Sequence, residues 1–288
     1  MKILITWCVA LCASTLLSIP SLSQQTQAFK SGYVNVNGLK MYYETHGQGE
    51  PMILLHGAYQ SIDKMFRNVI AKYAGSRQVI AFEFQGHGRT ADIDRDITYE
   101  NLATDAYHLL EHLKIDSADV FAFSMGSNVG IQLAIQHPEK VKKMVLISGA
   151  YSHEGYQPSY TAIVPSLTPS MFEGSTFKKE YDSLSPRPDK FPVLVARMKK
   201  LDLAPFNWEK AYVKIKNPMF LIYADNDVVT LSHVNDMVTK VGGNVMGDMD
   251  PWPRVRLAVV PNCSHVGLMT RFKSIYPMID EFLQQGKR

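Results

Sequence analysis

Cysteine is nearly absent from the 288 residues: of three, Cys8 and Cys12 stand in the first dozen positions, which leaves Cys263 alone in the remainder. No disulfide can form within that remainder, and a chain of this size manages without one, because burial rises with length and staples matter mainly in very small domains. Runs of like charge are missing too. The 30 basic and 27 acidic residues give a formal net charge of +3, which supplies no electrostatic footprint for nucleic acid or an anionic membrane surface. Internal repeats and low-complexity segments do not occur, which sets aside solenoids and disordered linkers. What is there is a chain 46% hydrophobic and 20% charged. That is the balance of a globular domain with one large core, and its expected partner is a small molecule.

Charge is missing from one stretch in particular. Between Lys2 and Lys30 no charged residue appears, and residues 3–17 are almost wholly apolar. The pattern predicts a secretory signal peptide over residues 1–23, with small Ser21 and Ser23 before the cleavage point and Ala28 marking a second candidate. The flank after Leu22 is polar rather than basic, which favours cleavage over an uncleaved anchor. Leu11 before Cys12 is too bulky for a lipid-attachment signal. The expectation is export to the periplasm or the medium, with no stable membrane association once the signal is removed.

From residue 32 onward short apolar strands alternate with helical periodicity. Residues 33–36 and 41–44 read as a hairpin turned by Asn37-Gly38. Residues 52–55 are a continuous apolar run, the mark of a strand buried on both faces. Ile62, Met65, Phe66, Val69, Ile70 and Tyr73 then keep helical spacing, and 78–84 returns to strand. The series continues with a helix over 99–113, a strand over 119–123, a helix over 125–136 and a strand over 143–147. It resumes late in the chain with a strand over 219–224, a helix over 234–241, a strand over 255–260 and a last helix within 275–284. Such alternation implies a parallel sheet covered on both sides. Between Gly149 and Lys216 the pattern breaks, and Pro158, Pro165, Pro169, Pro186, Pro188, Pro192 and Pro205 all fall there. A stretch of this length without regular structure is uncommon in a compact domain unless it serves function, so residues 150–216 are expected to form a lid on a core built from 24–149 and 217–288.

The strongest local signal is Val120-Phe121-Ala122-Phe123-Ser124-Met125-Gly126, an apolar strand that runs straight into a serine flanked by small residues and then into a helical pattern. A sharp strand-to-helix turn forces such a serine into a strained backbone, and only small neighbours two residues to either side avoid collision. Ser124 would stand exposed above the sheet as a nucleophile. The helix behind it offers the Met125 N–H and a positive end for a developing negative charge.

On these residues the chain resembles the α/β-hydrolase family from about Gly32 to Leu283. The family's Gly-x-Ser-x-Gly is present as Ala122-Phe123-Ser124-Met125-Gly126, its His-Gly after the third strand as His56-Gly57-Ala58, and its Gly-His-Gly turn as Gly86-His87-Gly88. The departures are Ala122 for the first glycine, Gln85 where arginine is common and Glu83 where aspartate is common. The resemblance implies a mostly parallel eight-stranded sheet flanked by helices, with a helical lid inserted after the sixth strand. It also pairs the Ala58 and Met125 amides as an oxyanion hole, with Tyr59 at the substrate rim. It takes the base from the loop after the last strand, where His265 lies in Asn262-Cys263-Ser264-His265, and the acid from the turn after the preceding strand. There Ala224-Asp225-Asn226-Asp227 offers two aspartates, of which Asp227 fits the family spacing and Asp225 would shape the turn. The order Ser124, Asp227, His265 is the order of this fold.

The activity so implied is a serine hydrolase, carboxylesterase-like, that opens an ester or related acyl bond through an acyl-enzyme and needs no cofactor. The same triad also serves acyl transfer, carbon–carbon bond hydrolysis or cofactor-free peroxidation on other folds of this kind, and a non-catalytic small-molecule-binding member is the reading from another class. Aspartate at the elbow would mark an epoxide hydrolase or dehalogenase, and serine stands there instead. No metal is expected: His108, Glu111 and His112 mimic a zinc motif, but they share the polar face of a helix whose other face carries Leu102, Ala106, Leu109, Leu110 and Leu113. Gly86-His87-Gly88 lacks the lysine and spacing of a phosphate loop, so no nucleotide is expected. His56 and His87 read as turn-shaping, and a glycan on the Asn262 sequon would crowd His265. Lid aromatics, among them Tyr151, Tyr156, Tyr160 and Phe172, suit either an apolar acyl pocket or simple packing onto the core.

Overall fold

The computed structural model describes residues 29–284. The expected signal peptide, with Cys8 and Cys12, lies outside them. Two antiparallel strands open the chain, β1 (Phe29–Val36) and β2 (Leu39–His46). Asn37 and Gly38 both take positive φ, 48° and 78°, the turn whose twist matches that of the flanking strands. There follow β3 (Glu50–Leu55), α1 (Ile62–Tyr73), β4 (Arg77–Phe82), α2 (Tyr99–His112), β5 (Ala118–Phe123), α3 (Met125–Gln136) and β6 (Val141–Ile147). The eight strands lie in the order β1-β2-β4-β3-β5-β6-β7-β8, parallel from β4 onward.

Alternation along the strands splits the interior into two layers. Ile53, Leu55, Val120, Ala122, Met144, Leu146, Leu221 and Tyr223 face one side, where α2 and α3 pack. Met52, Leu54, Phe121, Phe123, Val145, Ile147, Phe220 and Ile222 face the other, against α1 and the last helix. The central strands are thus dry on both faces, which is why they read as unbroken apolar runs.

Between β6 and β7 (Met219–Asn226) the chain is helical: α4 (Pro158–Ile163), α5 (Thr176–Leu184), α6 (Phe191–Leu203) and α7 (Glu209–Tyr212). Pro158, Pro165, Pro169, Pro188 and Pro192 each stand in the first two positions of a helical turn, where the missing N–H costs nothing. Five of the seven prolines that break the sequence pattern therefore start helical turns. Arg197 of α6 ties this segment to the core, with Nε donating to Asp92 at 2.7 Å and the terminal nitrogens donating to the Ile93 and Arg95 carbonyls. Phe191, Leu194 and Met198 are buried in the first core layer.

After β7 come α8 (Leu231–Lys240), β8 (Val255–Ser264) and α9 (Phe272–Gln284). Several boundaries differ from the sequence expectation, with β1 starting four residues earlier and α8 three. Strand β4 stops at Phe82, two residues early, because Glu83 and Phe84 lead into the turn that carries Gly86. Strand β7 runs on to Asn226, and β8 continues through Pro261 to Ser264. Proline is tolerated there because β8 is the sheet's edge, with no further strand to receive a hydrogen bond. On α2, Glu111 pairs with Lys140 and His112 meets Tyr43 edge to face, on the polar side of the helix.

Candidate active site

The elements deliver their functional side chains at one end of the sheet, where the parallel strands finish. Ser124 joins β5 to α3 with φ 55° and ψ −125°, a backbone state that non-glycine residues enter only when the surroundings hold them there. Those surroundings are tight. A Cβ on Gly126 would fall 2.1 Å from the Leu55 carbonyl oxygen, and one on Gly57 would fall 3.3 Å from Ser124 Cβ. The loop of Gly57, Ala58 and Tyr59 is therefore pressed against the serine. As N-cap of α3, Ser124 makes no side-chain capping bond, so its hydroxyl is free for another partner.

That partner is His265. Its Nε2 lies 2.9 Å from Ser124 Oγ and its Nδ1 lies 2.8 Å from Asp227 Oδ1. Asp227 accepts only, so Nδ1 carries the proton and Nε2 presents a lone pair to the serine hydroxyl. The carboxylate has no side-chain exposure, whereas the imidazole keeps 16%: the acid is dry and the base can be reached. Three further donors converge on Asp227, from Ser148 Oγ at 2.5 Å, Ala224 N at 3.0 Å and Val228 N at 2.7 Å. Burial by itself would push its carboxyl up, but the bonds from His265, Ser148 and Ala224 outweigh that and hold it below the usual range.

Asp225 lies one turn away and does not touch His265. Its carboxylate accepts from the Asn262 amide at 2.7 Å and the Cys263 amide at 2.9 Å, which clips the end of β7 to the stretch of β8 that leads into His265. The other two histidines of the sequence motifs stand apart from this chain of bonds. His56 Nε2 accepts from Phe84 N at 3.1 Å, and His87 Nδ1 faces the Gln85 carbonyl at 2.9 Å. Burial lowers both, His87 to about 4, so both are neutral at pH 7 and hold turns. Gln85 and Glu83 serve the same turn. Gln85 bonds Asp92, Ile93, Arg95 and, through its oxygen, the Arg95 side chain, while Glu83 pairs with Arg89.

A family model described as the alpha/beta hydrolase fold matches residues 50–174, from β3 past the serine elbow. That stretch is similar to the α/β-hydrolase family, and the chain as a whole has the α/β-hydrolase fold. Two curated relatives are the 2-hydroxy-6-oxo-6-(2'-aminophenyl)hexa-2,4-dienoic acid hydrolase of Metapseudomonas resinovorans and the 2-hydroxymuconate semialdehyde hydrolase of a Pseudomonas species. The first is 30% identical over 43% of this chain and 43% of its own length. The second is 32% identical over 39% of this chain and 41% of its own. The chain thus spans less than half the length of either. Among solved structures, the enol-lactonase from Burkholderia xenovorans aligns with a TM-score of 0.68 at 19% identity, covering 88% of this chain and 100% of that one, a likeness of fold.

Within this site Ser148 and Asn128 escape a reading of motifs. Ser148, with φ 58°, ends β6 beside Asp227. Its signal was position: polar residues just past the carboxyl ends of parallel strands are where such folds place their chemistry. Asn128, a turn into α3, accepts from Ala150 N and donates through Nδ2 to the Tyr156 hydroxyl at 2.8 Å. Tyr59, which the resemblance sets at the substrate rim, has φ 60° and rests against the Phe172 ring at 4.7 Å. Its buried hydroxyl has no partner among the described residues.

Proposed function

We propose that the protein is an exported serine hydrolase that cleaves a small carboxylic ester by way of an acyl-enzyme. The observation that carries the reading is the unbroken line of bonds from Ser124 Oγ through His265 to a buried, fourfold-bonded Asp227. In the first step His265 Nε2 takes the Ser124 proton as Oγ attacks the acyl carbon. The Asp227 carboxylate keeps the imidazole in its tautomer and stabilises the cation that forms. The Ala58 and Met125 amides are assigned to the oxyanion, where losing one donor costs on the order of a hundredfold or more. His265 then gives its proton to the departing alkoxide. A water, deprotonated by the same nitrogen, attacks the acyl-serine and returns the free enzyme with the carboxylic acid. Export rests on the uncharged apolar residues 3–17, and residues 150–216 act as the lid.

A second reading is hydrolysis of a carbon–carbon bond by the same three residues. The two curated relatives favour it, since they are named for a dienoic acid and a semialdehyde, neither of which carries an ester. The test is turnover of p-nitrophenyl esters from acetyl to lauroyl by the mature protein and by Ser124→Ala, with fluorophosphonate labelling read by mass spectrometry. The ester reading requires labelling at Ser124 and a loss of at least about a thousandfold in the variant. An unlabelled Ser124 and no turnover of any ester would refute it.

A further inference from the structure

Exposed large apolar side chains crowd one edge of the molecule. Met246, Met249, Trp252, Leu257, Val259 and Val266 all lie on β8 or on the two segments that flank it, with Trp252 84% exposed, Leu257 42% and Val259 41%. Strand β8 is ten residues long, pairs with β7 and stands last in the sheet, so its other side is a free edge. Ala258 and Val260 pack into the second core layer. By alternation Leu257 and Val259 stand on the opposite face of the strand, where they stay exposed. A long edge with outward apolar side chains is a template for pairing, and folded proteins blunt such edges with lysine, proline or other charges. From Val255 to Val260 the only charge is Arg256, and that side chain turns back to Glu281 of α9 at 3.2 Å. Pro261 blunts the far end alone. The opposite edge of the sheet, β1, carries Lys30, Ser31 and Asn35.

This edge is complementary to itself. An antiparallel pair of two copies about a two-fold axis through Ala258 sets Leu257 of each copy directly opposite Val259 of the other, on one face, where cross-strand apolar pairs are stabilising. Pro261, which has no N–H, falls opposite Val255 and ends the ladder. The loop that enters β8 in one copy then runs beside the turn that leaves β8 in the other, so Met246, Met249 and Trp252 approach Val266, itself 56% exposed. Charge matches in the same register. The loop carries Asp248 and Asp250, and the segment past β8 carries Arg271 and Lys273, all four exposed and without an ion pair among the described residues. The two-fold brings the acidic end of each copy to the basic end of the other. The six apolar side chains expose on the order of 700 Å² per copy, which with the strand backbone meets the about 800 Å² per partner of a standard interface. We propose that this edge is the interface of a homodimer, in which β8 of one copy pairs with β8 of the other and the two sheets continue as one.

The test is the mass of the mature protein in solution, by sedimentation equilibrium and light scattering from about 1 to about 100 μM. Twice the mass of one chain is expected at the upper end. Leu257→Glu/Val259→Glu sets like charges opposite each other in both cross-strand pairs and should weaken association by at least about tenfold, whereas Leu257→Glu/Val259→Lys sets opposite charges there and should recover most of the loss. Both positions are exposed in the single chain, so the variants should keep its fold and melt close to the wild type. Trp252→Ser, on the loop rather than the strand, should also weaken association about tenfold and stands in if a strand variant fails to fold. A monomer at about 100 μM would overturn the proposal, and so would a dimer equally tight in Leu257→Glu/Val259→Glu, because another face would then hold it. A monomer that binds phosphatidylcholine vesicles, and loses that binding in Trp252→Ser, would give the face to a lipid surface instead. The measurement reads mass and needs no substrate, so it stands or falls apart from the ester reading.

Discussion

Replacing Gly126 by alanine tests how much of the site is held by backbone contact. The added Cβ would lie 2.1 Å from the Leu55 oxygen, 2.5 Å from the Leu55 carbon and 2.7 Å from the His56 oxygen. All three atoms are main chain, so no rotamer can move them aside. Restoring ordinary contact means opening the gap between β3 and α3 by roughly 1 Å in an interior packed as densely as a crystal. Overpacking of this kind costs about 1–3 kcal/mol or more, which for a chain of this size lowers Tm by about 3–9 °C. The larger effect falls on activity. The segment forced away continues into Gly57 and Ala58, and the helix forced away begins at Met125, so the two assigned oxyanion donors separate from each other. Misplacement by about 1 Å costs on the order of a hundredfold in rate. Turnover of p-nitrophenyl butyrate and a melting curve measure both effects. Ala122→Gly, at the position where the family more often has glycine, is the control and should keep its activity. A Gly126→Ala protein with wild-type Tm and kcat/KM within about threefold would refute the argument.

Two further outcomes follow from buried carboxylates. Ser148→Ala removes a 2.5 Å donor from Asp227, a bond to a charged group worth about 1.5–3 kcal/mol. Because a depressed carboxyl contributes stability above its unfolded value and loses it as pH falls through its folded value, the variant should lose activity and stability at higher pH on acidification than the wild type. Superimposable pH profiles would contradict this. Glu44 is 1% exposed. Burial would raise its carboxyl, yet bonds from His46, Arg67 and Tyr42 bring it from 4.5 down to about 2. That displacement corresponds to at most about 3 kcal/mol, present above pH 4.5 and lost as pH falls from there toward 2. Urea unfolding of Glu44→Gln should decline less steeply across that window than the wild type, and a parallel decline in both would count against the assignment.

The sheet was legible in the sequence because its central strands are buried on both faces and carry no polar interruption, and because Asn37-Gly38 admits essentially one kind of turn. Ser124 was legible because strain at a strand-to-helix turn restricts its neighbours to small residues. What stayed hidden depends on meetings across the chain. Ser148 and Asp227 are 79 residues apart, and nothing in Ile147-Ser148-Gly149 announces the pairing. The helices between β6 and β7 were obscured by the prolines that start them, since a first-turn proline and a helix breaker look alike without the backbone. The extension of β8 through Pro261 needed knowledge that β8 is an edge.

Ser124 and His265 are 141 residues apart, and the histidine hangs from β8, paired to the sheet by β7 alone. Chains are made from the amino end. A growing chain can therefore complete β5, the serine elbow and the oxyanion loop while the proton acceptor is still unsynthesised. Over that interval Ser124 is an inert alcohol. The pairing of β8 with β7 that brings His265 to the serine also joins Asp225 to Asn262 and Cys263. On the proposed mechanism, the onset of fluorophosphonate labelling during refolding is expected to report closure of the sheet's final edge.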